Sequence, residues 1–140
     1  MPTSDLATST TTVAYAFISP TDPRNSSDLE LLRHWCKGSN HNMEILTEEI
    51  HPRERGSKVW SEVLCQIESG QIKTLVVPRL SHIIGNDFIG LSKFLSYLRS
   101  KGAKLRSIQE FIDSDRESHQ DIVTNFYLEV TGKKVIGGGQ

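Results

Sequence analysis

Little in this chain of 140 residues is present in excess, and what is missing narrows the reading first. No apolar run approaches the ~18 residues that suggest a membrane span. The Ser/Thr-rich residues 1–11 contain no hydrophobic signal core, so they read as a disordered lead to a cytoplasmic protein with no membrane partner. There are only two cysteines, Cys36 and Cys65, each inside an apolar helical pattern. They are expected to be buried free thiols in a reducing compartment. The five histidines (34, 41, 51, 82 and 119) share no zinc-ligand spacing, so no metal is expected. No strand is followed by a phosphate-binding glycine motif, and Ser19-Pro20-Thr21-Asp22-Pro23 has no glycine at all. No nucleotide or other cofactor is implied. A net charge of −1 argues against strong unassisted nucleic-acid binding and leaves room for a local basic patch.

What is present is an orderly alternation. Thr12-Val13-Ala14-Tyr15-Ala16-Phe17-Ile18-Ser19-Pro20 is a β-branched and aromatic run ended by turn chemistry, the mark of a strand buried on both faces. Ser27-Asp28-Leu29-Glu30 matches a capping box, opening a helix through Leu29, Leu32 and Cys36 that Gly38 closes. Asn40 to Asn42 turn the chain into a second strand, Met43 to Thr47. A polar loop, Glu48 to Gly56, precedes a helix from about Ser57 to Ser69 with Val59, Trp60, Val63, Leu64 and Ile67 on its core face. Thr74-Leu75-Val76-Val77 gives the strongest buried-strand signal. A loop from Pro78 to Asn86 leads to a helix capped by Asn86 or Asp87, with Phe88, Leu91, Phe94, Leu95 and Leu98 well spaced. Ala103 to Ile108 reads as a fourth strand, and Asp113 to about Val130 as a last helix. The β-α-β-α-β-α-β-α order predicts one three-layer α/β domain over 12–131, a mostly parallel sheet flanked by helices, with a flexible tail over 132–140.

Several passages, in order and spacing, resemble the N-terminal catalytic domain of serine site-specific recombinases, the resolvase/invertase family. Tyr15-Ala16-Phe17-Ile18-Ser19 looks like the family's Y-A-R-V-S strand. Leu64 to Val77 is similar to its L-x-x-I-x-x-G-x-I-D-x-L-V-V passage. Leu80-Ser81-His82-Ile83-Ile84-Gly85-Asn86 occupies the place of L-D-R-L-x-R-N, and Lys101 to Ile108 fits G-V-x-L-x-S-I. The resemblance covers about residues 12 to 113 and implies a resolvase-like fold and DNA recombination in a mobile element. It also implies a serine nucleophile, here Ser19, that attacks a DNA phosphodiester and forms a phosphoserine link without metal. Tyr15 and Glu48 match further family positions.

Such a reaction needs fixed cations around the phosphate, and arginine suits because it binds bidentately and keeps its charge. At the matched positions this chain carries Phe17, Ser57, Ser81-His82 and Gly85 instead. Removing one transition-state donor costs about 3–4 kcal/mol, so loss of the whole clamp implies a degenerate site. Arg55, Lys58, Arg79 and His82 are the residues that could stand in as DNA or phosphate ligands. The resemblance implies a long dimerisation helix and a helix-turn-helix module after this region, and neither is expected to follow Glu129 to Lys134.

Each residue also has a plainer reading. Ser19 before Pro20 suits a turn, His82 and His51 suit solvated positions, and Glu48 with Glu49 suits a pair of solvated loop carboxylates. Arg53, Arg55 and Lys58, and the cations from Lys93 to Arg106, suit solvated faces, and Trp35 and Trp60 suit the core. Two functions stay open. One is a non-catalytic binding, regulatory or assembly module with weak non-specific DNA affinity, self-association or a protein partner. The other is an active or partner-assisted recombinase or transposase domain working through Ser19.

Overall fold

Alternation along the first strand decides how the layers stack. In the computed structural model, which describes residues 12–19, 21–22, 24–38, 43–85 and 87–131, β1 runs Thr12–Phe17. Its Val13 and Tyr15 face one side, and Ala14 and Ala16 face the other. The Val13/Tyr15 side builds the larger core with Leu75 and Val77, covered by Trp60, Val63 and Ile67, by Leu91, Leu95 and Leu98, and by Ile122 and Phe126. The alanine side is thinner: Ala14, Ala16 and Val76 meet Leu32, with Leu29, Trp35 and Cys36 packed around them. Small residues there let one helix lie close to the sheet.

The elements follow as β1, α1 (Arg24–Gly38), β2 (Glu44–Glu48), α2 (Lys58–Glu68) and β3 (Thr74–Val77). Then come α3 (Ser81–Ile84), α4 (Phe88–Ser100), β4 (Lys104–Ser107), β5 (Ile112–Asp113) and α5 (His119–Thr131). The sheet order is β2-β1-β3-β4-β5. Every neighbouring pair is parallel except β4–β5, with Tyr15 opposite Leu46 and Val13 opposite Leu75. The three-layer α/β architecture expected from the alternation is therefore the one observed. Gly70 (φ +85°) and Gly102 (φ +71°) end α2 and α4 in the left-handed region, which a side chain would strain.

Several local expectations are corrected. The chain is helical from Arg24, so Ser27 and Glu30 do not form a capping box, and Glu30 pairs with Arg33 at 2.9 Å instead. Asp87, one of the two expected caps, does cap α4, its carboxylate accepting from the Gly90 N–H at 2.9 Å. The Pro78–Asn86 loop contains the helical turn α3. The expected helix from Asp113 begins only at His119, because Ile112–Asp113 pairs with β4 as an antiparallel edge. Cys65 is exposed and Cys36 half-buried, since α2 turns Trp60, Val63 and Ile67 inward. The lead over 1–11, the 40–42 turn and the tail over 132–140 lie outside the described residues, as does His41.

Candidate functional site

β1 lies between β2 and β3, so the strand order reverses beside its carboxyl end. Open α/β sheets place their functional crevice at such a switch point. Phe17 ends β1 there, and α3 follows β3 at the same end of the sheet. The side chains meeting at this point come from β1, α1, α3, the β3–α3 connection and the loop after β2.

His82 is their centre. It is 3 % exposed, and both ring nitrogens are engaged. The Phe17 backbone N–H donates to Nδ1 at 2.9 Å, and Nε2 lies 2.9 Å from Asp28 Oδ2. A backbone amide can only donate, so Nδ1 is the bare nitrogen and Nε2–H donates to the carboxylate. Burial pushes the His82 pKa below its ordinary value; the Asp28 hydrogen bond and charge oppose this, while Arg79 and His51 add to it. The ring is neutral in this tautomer. The other Asp28 oxygen accepts from Arg79 Nε at 2.9 Å. Asp28 is itself buried, so the carboxylate bridges a neutral histidine and a cation.

Phe17 stands where the resemblance expects an arginine. Its ring meets His51 edge-on at 4.9 Å between centroids and His82 at 6.5 Å. His51 is also held at both nitrogens: the Arg53 N–H donates to Nδ1 at 3.1 Å, and Nε2 donates to the Ser81 carbonyl at 2.8 Å. The plain reading of His82 and His51 as solvated is thus overturned, because the turn of α3 folds down onto the end of β1.

Tyr15 and Glu48 form a second unit. The Tyr15 hydroxyl donates to Glu48 Oε1 at 2.8 Å. The same carboxylate accepts the Trp60 N–H at Oε1 (3.1 Å) and the Val59 N–H at Oε2 (3.0 Å). These are orphan amides of the first turn of α2, which the Ser57 side chain leaves uncapped. Glu48 therefore caps the helix from a neighbouring strand, and is no freely solvated charge. Burial first, then the hydrogen bond and charge of Glu48, push the Tyr15 phenol far upward, so it stays protonated.

The remaining sites from the sequence are dispersed among other partners. Ser19 Oγ lies 3.1 Å from Thr21 Oγ1 and accepts the Thr21 N–H at 3.3 Å, a hydroxyl turn at the end of the strand. Arg55 and Lys58 are exposed and border a groove beside Trp60 and Cys65. Arg79 and His82 do come together, but on Asp28. Glu110 fixes the entry to α3, accepting the Leu80 N–H at 3.1 Å and the Ser107 hydroxyl, and burial pushes its pKa upward. Among the described residues, no cluster of His, Cys, Asp or Glu side chains could hold a metal ion.

Sequence reasoning missed Asp28, although a signal was present. Asp28, Leu32 and Cys36 share one helical stripe, and a carboxylate on a core-facing stripe calls for a buried donor. His51 and Glu110 carried no comparable pattern.

Sheet order and layer structure define a doubly wound α/β domain, with the candidate site in the cluster over the β1–β3 switch point. The profile described as Resolvase, N terminal domain matches residues 12–130, and the chain belongs to that family. No curated protein matches it. Its fold is similar to the N-terminal catalytic domain of TP901-1 integrase, with a TM-score of 0.65 at 11% identity over 89% of this chain and 97% of that one. It is also similar to a resolvase family site-specific recombinase from Streptococcus pneumoniae, with a TM-score of 0.61 at 14% identity over 91% of each chain. The C-terminal catalytic domain of ISC1926 TnpA, an IS607-like serine recombinase, gives a TM-score of 0.55 at 13% identity over 81% of this chain and 75% of that one. Among the described residues, no helix is long and apolar enough to cross a membrane.

Proposed function

We propose that this chain is a resolvase-family domain without strand-transfer activity, serving as a binding, regulatory or assembly module. The observation that carries the reading is the Phe17–His82–Asp28–Arg79 arrangement. Phosphoryl transfer needs preorganised donors aimed at the charge that develops on the phosphate oxygens. Here the His82 donor points at Asp28, its other nitrogen accepts a backbone amide, and Arg79 is bound to the same carboxylate. Phe17 contributes an apolar ring at the matched arginine position. A buried carboxylate at this end of the sheet also opposes an approaching phosphate. Tyr15 and Glu48, which match family positions, act on this reading as the cap of α2.

DNA affinity on this reading is weak, sequence-independent and salt-sensitive, no tighter than the ~10⁻⁴–10⁻⁶ M of non-specific binding. Self-association or a protein partner would then supply the module's role. The test is covalent trapping on supercoiled plasmid DNA at low salt, comparing the native chain with Ser19→Ala. No adduct from either folded protein is the expected result. A serine-dependent protein–DNA adduct would overturn the proposal and make displaced cations the working clamp.

A further inference from the structure

At the β5 edge of the sheet, the turn from Ile108 to Phe111 holds a bulky residue in a strained place. Among the described residues, Phe111 is the one non-glycine position with positive φ (+57°), and it is 88% exposed. Glycine or asparagine would suit this left-handed conformation better. Neighbouring bonds leave the turn little room to relax. The Ile108 N–H donates to the Val77 carbonyl at 3.0 Å and the Gln109 N–H to the Pro78 carbonyl at 2.9 Å. The Glu110 carboxylate accepts the Leu80 N–H at 3.1 Å. Core packing does not explain a ring that faces solvent. Strain that the surrounding structure over-determines in this way collects at ligand clamps.

Phe111 is one wall of a groove of about 480 Å³, within the ~300–1,000 Å³ range of small-molecule sites. Trp35, Ile108 and Ile112 supply its other apolar surfaces, and Arg106 and Arg116 its cations. Asp113 and Glu117 also line it, but both acids are already engaged. Asp113 accepts from Arg106 Nη2 at 2.5 Å and from the Asp115 N–H at 3.0 Å, while Glu117 accepts the Asp113 N–H at 3.1 Å. The cations are less fully used. Arg106 spends one N–H on Asp113 and lies 5.6 Å from the centre of the Trp35 ring. Arg116 Nε is 3.9 Å from Asp113, beyond hydrogen-bond reach, and its side chain is 84% exposed. Each guanidinium carries five N–H donors, so the groove holds more donors than its own carboxylates engage.

We infer that this groove is a binding site for a small aromatic carboxylate. The ligand's ring lies against Phe111, Ile108 and Ile112, and its carboxylate takes the spare N–H groups of Arg106 and Arg116. Arginine suits that part because its planar fork meets a carboxylate with two parallel hydrogen bonds. Trp35 and Asp113 hold Arg106 from two sides, so little side-chain freedom is lost there on binding. The fixed turn serves the same end, since Phe111 is presented before any ligand arrives. Asp113 and Glu117 on the same walls disfavour a polyanion and leave room for a single negative group. The groove is separate from the His82–Asp28 cluster, whose donors are already bound.

The test titrates the ¹⁵N-labelled full chain with sodium 2-naphthoate, followed through backbone amides and the two tryptophan indole N–H signals. Saturable shifts are expected at Trp35, Ile108, Phe111 and Ile112. The dissociation constant should be about 1 mM or tighter, the weakest that ordinary ligand efficiency gives an acid of this size. The Trp60 indole, in the core on the other face of the sheet, should not move. No saturable shift, or shifts centred on the groove beside Trp60 and Cys65, would overturn the inference. 2-Naphthalenemethanol keeps the rings and loses the charge, so it should bind about tenfold more weakly. Equal binding of acid and alcohol would remove the arginines' part and refute the proposal. Phe111→Gly relieves the positive φ and so keeps the fold, yet it should lower affinity about tenfold, the worth of one aromatic contact. A folded glycine variant that binds 2-naphthoate as the native chain does would also refute it.

Discussion

Replacing Asp28 gives the sharpest test of the bridge between α1, β1 and α3. Asp28→Ala leaves the Nε2–H of a 3 % exposed histidine without an acceptor, which costs about 1–3 kcal/mol. Arg79 loses its partner too, but its side chain is 35% exposed, so water replaces much of the interaction and the loss there is about 0.5–1 kcal/mol. Alanine returns up to about 0.7 kcal/mol of helix propensity within α1. The net expectation is a loss of about 2–3 kcal/mol. Asp28→Asn keeps an oxygen for His82 but turns an NH2 toward Arg79, losing both the charge and the acceptor on that partly exposed side, so it should cost about 1 kcal/mol. With a urea slope of ~1–3 kcal/mol per M, the alanine variant's midpoint falls by about 0.7–3 M and the asparagine variant's by about 0.3–1 M, the former two to three times as far at a common slope. Urea titration followed by tryptophan fluorescence and far-UV circular dichroism measures both. Two variants within about 0.5 kcal/mol of the native chain would refute the reasoning. Equal losses from both would shift the weight from the histidine to the Arg79 pair.

Two further outcomes follow from the same site. The fold favours neutral His82, whose pKa lies below the ordinary 6.5, whereas the unfolded chain takes up a proton near that value. This contribution to stability is therefore full above pH 6.5 and is lost as pH falls through the lowered folded value. Ring-proton NMR should place the His82 midpoint below 6.5, with urea midpoints declining over the same range; a midpoint above 6.5 would contradict the tautomer. Tyr15→Phe should cost about 1 kcal/mol, and Glu48→Ala about 2–3 kcal/mol, because the latter frees two helix amides and a buried hydroxyl. Unchanged unfolding in both variants would remove the capping role.

The layers were legible because their signals are local. Leu75, Val76 and Val77 form an unbroken apolar run between Thr74 and Pro78, and α2 and α4 carry clear stripes. Resemblance to a family also located the carboxyl end of β1 and picked out Tyr15, Ser19, Glu48, Arg79 and His82. The sequence could not disclose what those residues bind. His82 and Asp28 are far apart in the chain, and only the packing of α1 and α3 on one strand end brings them within hydrogen-bond reach. Glu48 misled for a related reason: a carboxylate ending a strand looks solvated until the next helix starts above it. Cys65 misled in the other sense, because its apolar surroundings in sequence lie on neighbouring faces of α2.

The Phe17 amide bonded to His82 Nδ1 has an evolutionary consequence. Phe17→Arg alone would bring a new cation beside Arg79, with Asp28 already shared between Arg79 and His82. It would also remove the ring that packs on His51. On the proposed non-catalytic reading, a cationic pocket would not come from a substitution at Phe17 alone, because an arginine placed there has no vacant acceptor. On that reading the histidine, the aspartate and the phenylalanine would have to change together for such a pocket to form, and the stability of the fold itself opposes each change made singly.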